Sequence, residues 1–108
     1  MKLLSPLLLL VFLAACATPP TVVDEAREHF REGRSEQALA LLQQASKKDP
    51  EDLRLRAEYF RLRELLLAQW LAQAEMLRQS GHFELAEGLY RRVQTHDATN
   101  ARAASGLA

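Results

Sequence analysis

The chain has one thiol, Cys16, and the residues before it have a set order. Lys2 places a positive charge at the start, residues 3–13 are apolar except for Ser5 and Pro6, and the small residues Ala14 and Ala15 follow. That order is the one of a secretory leader: a charged start, an apolar run of roughly 7–15 residues and a small-residue cleavage site. No second group with chemistry stands out. His29, His82 and His96 fall on different elements, without metal-ligand spacing or clustered carboxylates. Ser35, Ser46 and Ser80 lack a nucleophile elbow, and no glycine-rich phosphate loop is present. The residues point away from an enzyme, with no catalytic group, metal or cofactor expected.

Leu13-Ala14-Ala15-Cys16 resembles the lipobox of bacterial lipoproteins. The resemblance implies that the thiol of Cys16 is acylated with diacylglycerol, that the leader is cut before it and that the new amino terminus is acylated. Each buried methylene contributes about 0.8 kcal/mol, one acyl chain holds weakly, and two or more hold stably. Ala17 stands where an Asp would resemble an inner-membrane retention signal. The resemblance therefore implies a lipid-anchored, periplasm-facing outer-membrane protein of a Gram-negative bacterium. A transmembrane helix needs roughly 20 apolar residues. Here the run is shorter and Thr18-Pro19-Pro20-Thr21 ends it. An ordinary signal peptide with a chance cysteine is the competing reading.

Cleavage after residue 15 leaves 93 residues, one small domain, with 13 basic and 14 acidic side chains. A chain so near neutrality has no large field to steer nucleic acid, so none is expected as a partner. With Cys16 carrying lipid no disulfide can form, and packing alone must hold the domain.

The elements follow from breakers. Residues 16–21 read as a tether. Beyond them Ala, Leu, Glu, Gln and Arg dominate, all strong helix formers, and no strand alternation occurs. Gly33, Pro50 and Gly81 divide the chain into helical blocks: 22–32, 35–48, one long helix from Pro50 to about Ser80, and 83–95. Asp49 is expected to cap the long helix with Pro50 in its first position. Asp97 is expected to cap a short segment ending at Arg102, with 103–108 as a tail. The predicted class is all-α.

Segments 33–50 and 81–98 repeat one another. Gly33 and Gly81, Ala38 and Ala86, Leu41 and Leu89, Asp49 and Asp97 match at a constant offset of 48, as do Ala26 and Ala74 further upstream. This pattern resembles the tetratricopeptide repeat, a helix-turn-helix pair of roughly 34 residues. The resemblance implies antiparallel helix pairs over residues 22–102. Its packing positions would be Ala26, Phe30, Gly33, Ala38, Ala45 and Pro50 in the first pair, and Trp70, Ala74, Gly81, Ala86 and Tyr90 in the second. The offset exceeds the family's period by about 14 residues, which should lengthen the front helix of the second pair by about four turns. Ala98 departs from the family's proline.

The long helix has more apolar surface than one short partner helix covers, and an uncovered patch marks an interaction site. The expected surface is Leu55, Tyr59, Leu62 and Leu66 with Arg54 and Arg61 as its rim. Otherwise Arg54, Arg56, Arg61 and Arg63, interleaved with acids, read as a solvated ion-paired face. The functional expectation is an adaptor or assembly factor, anchored to the membrane through lipid and binding an envelope protein. The Tyr90-Arg91-Arg92-Val93 motif and the lengthened helix also look like the amino-terminal region of some secretin-type secretion or pilus proteins. Two other readings stay open: a structural spacer that self-associates through the long helix, and a regulatory subunit of a periplasmic cell-wall enzyme.

Overall fold

The computed structural model describes residues 21–108, so Cys16 and the leader lie outside the described residues. Five helices follow in order: α1 (Val22–Arg31), α2 (Ser35–Lys48), α3 (Leu53–Gln79), α4 (Phe83–His96) and α5 (Ala101–Leu107). The described chain is all-α, built of antiparallel helix pairs around one elongated central helix, as the breakers predict. At 27 residues α3 is far longer than the 10 residues of α1.

Caps and turns explain the boundaries. Thr21 and Asp24 form a capping box that opens α1: the Asp24 amide donates to Thr21 Oγ1 at 3.2 Å and the Thr21 amide donates back to the Asp24 carboxylate at 3.1 Å. Gly33 and Gly81 turn the chain out of α1 and α3 with φ of 82° and 85°, the left-handed region that favours glycine. At both turns an amide reaches back five residues, Arg34 to His29 and His82 to Leu77, each at 2.8 Å.

The starts of α3 and α5 correct the expectations. Asp52, not Asp49, caps α3 by accepting from the Arg54 amide, and Pro50 sits in the turn before it. A residue preceding proline is pushed out of the helical region. Asp49 ends α2, with ψ of 76°, a conformation that the proline favours but that Asp97 adopts without one. One repeat later Asp97 ends α4, and Asn100 caps α5 through the Ala103 amide. Residues 103–107 are therefore not a tail. They belong to α5, and Ala103 is fully buried.

The core runs the length of the stack. Ala26, Ala38, Leu42, Ala74, Ala86 and Tyr90 are buried at matching places in the two hairpins. Small side chains at 26, 38, 74 and 86 let the helices approach closely. From α3 the core takes Leu62, Leu66, Leu67, Trp70 and Leu71, all buried. Phe30 is only partly buried and packs on the edge of this core, while Ala45 is half-buried and Pro50 exposed.

Candidate interaction surface

The expected surface divides on folding. Leu62 and Leu66 are core residues, 2% and 3% exposed, because α1 and α2 both pack on that side of α3. They are not available to a partner. Leu55 and Tyr59 are half-buried against the same core, and Arg54 is exposed. Arg61 turns back to Glu58.

Glu58 is the charged residue whose role the sequence hides. It is the buried charge among the described residues, set between α1 and α3. Arg27 of α1 donates through Nε at 2.8 Å and through Nη2 at 3.2 Å to its two carboxylate oxygens. Arg61, one turn along α3, donates from Nε at 3.1 Å and Nη2 at 2.5 Å. Two forked donors satisfy one carboxylate. The hydrogen bonds from Arg27 and then Arg61 outweigh the desolvation of Glu58 and hold its pKa down to about 2. The same bonds push both guanidinium groups upward. Part of the expected solvated face is thus a joint between helices.

Arg63 is committed in the same way. It donates to the His96 carbonyl at 2.6 and 3.2 Å, closing the last turn of α4, where a cation suits the helix dipole. Further along, the Arg92 guanidinium lies 4.6 Å over the Trp70 ring and pairs with Glu36 of α2. The His96 ring packs obliquely against Trp70, with its centroid 5.6 Å away.

Besides Leu65 and Met76, two large apolar side chains of α3 stay open, a few residues from the expected stripe. Leu53 is 72% exposed and Phe60 46%. They are seven residues apart, with Arg56 between them, and so share one face of the helix. Beside that face the carboxyl end of α2 and the start of α3 enclose a cleft of about 300 Å³. Tyr59 and Phe60, in edge contact at 5.4 Å, form its apolar wall; Lys47, Asp52 and Arg56 supply charge at its edge. Such a cleft suits an apolar side chain with a polar flank; it brings together no set of catalytic groups. In the sequence Leu53, Ala57 and Phe60 lie on an apolar stripe beside the one through Leu62, and only the packing of the helices shows that Leu62 is covered and Phe60 is not.

Among the described residues no three His, Cys, Asp or Glu side chains come together as metal ligands, and no helix is long and apolar enough to cross a membrane. No protein-family model, curated protein or solved structure matches the chain, so the reading of this surface rests on its own geometry.

Proposed function

We propose that this protein is an outer-membrane lipoprotein built on tetratricopeptide-like helix pairs, acting as an adaptor or assembly factor for an envelope machine such as a secretin-type secretion or pilus system. Cys16 carries the lipid, residues 16–21 form the leash, and the helical domain captures a protein partner. Holding the module at the membrane raises its local concentration there, so a modest affinity suffices. The observation that carries the reading is the open apolar cleft of Tyr59 and Phe60 on a stack whose other charges are largely satisfied within it.

Capture from solubilised envelope with the acylated protein tests the proposal, using wild type and Phe60→Glu side by side. A single envelope protein held by wild type and lost with the variant is the expected result. Retention of only abundant contaminants by both counts against it.

The self-associating spacer is the second reading, and the exposed pair Leu53 and Phe60 favours it, since a seven-residue spacing suits helix-to-helix contact between copies. Sedimentation separates the two. A concentration-dependent dimer lost on Phe60→Glu supports the spacer. Leu62 is unsuitable for this test because it belongs to the core.

A further inference from the structure

The charges of the described residues are unevenly committed. Most arginines have a carboxylate within 4.0 Å, as Arg27, Arg61 and Arg92 do. The described cations with none are Lys47, Lys48, Arg54, Arg56 and Arg78, and all but Arg78 gather where α2 ends and α3 begins. Residues 1–20 contain no Asp or Glu, so none of their side chains supplies a carboxylate. Asp49, Glu51 and Asp52 lie in the same corner yet pair with none of the four, and Asp52 is engaged on the Arg54 amide. Lys47 and Lys48 suit the end of a helix. Arg54 and Arg56 instead stand in the first turn of α3, where the dipole disfavours a cation and no acid within the turn offsets it. Nor does the fold call for these charges: the matching turn 48 residues on is built with Thr95 and Ala104 at the places of Lys47 and Arg56.

Lys47 and Arg56 border the cleft of Tyr59 and Phe60, and Ser46 lines it beside them. Ser46 Oγ is buried with no hydrogen-bond partner among the described residues, whereas buried polar atoms are normally paired. We infer that the cleft takes an acidic segment of a partner protein. A large apolar side chain of the segment lies against Tyr59 and Phe60, and carboxylates flanking it meet Lys47 and Arg56. At about 300 Å³ the cleft has room for side chains, not for a whole helix. A backbone carbonyl of the segment gives the Ser46 hydroxyl the acceptor it lacks. An anionic surface without apolar side chains would satisfy the cations but leave the aromatic wall unused. The inference deepens the adaptor reading and rests on it for a protein partner; it adds the sign of the partner's charge and the kind of side chain it inserts.

The tripeptide acetyl-Glu-Phe-Glu-amide and its neutral counterpart acetyl-Gln-Phe-Gln-amide serve as probes for the isotope-labelled chain from Cys16 onward. Millimolar acidic peptide is expected to move the backbone NMR signals of Ser46, Lys47, Tyr59 and Phe60. The neutral peptide should bind severalfold more weakly, since exposed ion pairs contribute modestly. Added salt should bring the two together. Lys47→Gln or Arg56→Gln should each weaken the acidic peptide severalfold, while Arg78→Gln, an equally unpaired cation at the far end of α3, should leave it unchanged. All three positions are exposed, and the variants should keep the helical circular dichroism of wild type. No signal change at millimolar acidic peptide, equal binding of the two peptides at low salt, or binding indifferent to both Lys47→Gln and Arg56→Gln overturns the inference. So does a dimer of the chain alone that Lys47→Gln dissolves, because the occupant is then a second copy. The capture experiment keeps the two readings apart. An envelope protein lost with Phe60→Glu but retained by the Lys47→Gln/Arg56→Gln double variant leaves the adaptor standing and overturns the acidic segment.

Discussion

Gly106 in α5 lies so close to the ring of Tyr90 in α4 that a methyl group in its place would fall 2.3 Å from the ring's Cζ. The two positions are the images of Glu58 and Leu42 one repeat earlier. Where the first repeat pairs a smaller core residue with a long side chain, the second pairs a large ring with none. Bulk has moved from one helix to its neighbour while the backbone pattern stayed. Together with the buried Ala103, this contact seats the last helix on the stack.

Gly106→Ala should therefore destabilise the domain, by about 1–3 kcal/mol as overpacking does. Tyr90→Leu alone should also destabilise it, through the space left in the core. Combined, the two should cost less than their sum, because the smaller Leu makes room for the methyl group. Urea denaturation of the two single variants and the double variant checks the coupling. Strict additivity would show that α5 does not sit on the ring.

The Glu58 joint should make stability depend on acid. Its carboxyl is held at about 2 in the folded chain against an ordinary 4.5. A folded-state value below the unfolded one adds stability that is complete above about pH 4.5 and fades as pH falls towards about 2. Glu58→Gln should remove that part of the pH dependence. Its cost at pH 7 should be on the order of 1 kcal/mol, less than the full shift implies because both arginine side chains are half exposed. Denaturation midpoints at pH 7 and pH 3 for wild type and variant give the comparison.

Much of this architecture is legible in the residues, for identifiable reasons. Gly33 and Gly81 mark turns because a left-handed residue is needed there, and the matched alanines mark close helix approach. The faces of α3 are harder. Leu55, Tyr59, Leu62 and Leu66 follow one stripe, yet only the arrangement of α1 and α2 decides that Leu62 and Leu66 are covered and Phe60 is not. Asp49 and Asp52 both precede suitable residues, and the backbone separates them: Asp49 ends α2 just as Asp97, with no proline after it, ends α4, so the cap of the next helix falls three residues on. Glu58 reads as one more acid on a charged helix until Arg27 arrives from a segment 31 residues away.

Leu62→Glu and Phe60→Glu should separate these faces. The first buries an unpaired charge in the core and should unfold the domain or cost it more than about 3 kcal/mol. The second changes an exposed position and should stay within about 0.5 kcal/mol. Thermal melts of both variants test the assignment, and similar melts would contradict it.

Trp70 is the only tryptophan, and its ring is shielded by Arg92 and His96. Its emission should be blue-shifted in the folded domain and move red together with the loss of helical signal on denaturation, as one cooperative transition. Arg92→Ala should redden the folded emission without unfolding the chain. Unchanged emission in that variant would place the guanidinium elsewhere.

The central claim is that a fatty-acid leash holds stacked helical hairpins at a membrane. The intact mass of the protein extracted from membranes of a Gram-negative host tests it most directly. The expected species begins at Cys16 and carries diacylglycerol and an amide-linked acyl chain. A chain that retains its leader, or begins at another residue with its cysteine unmodified, would contradict the account.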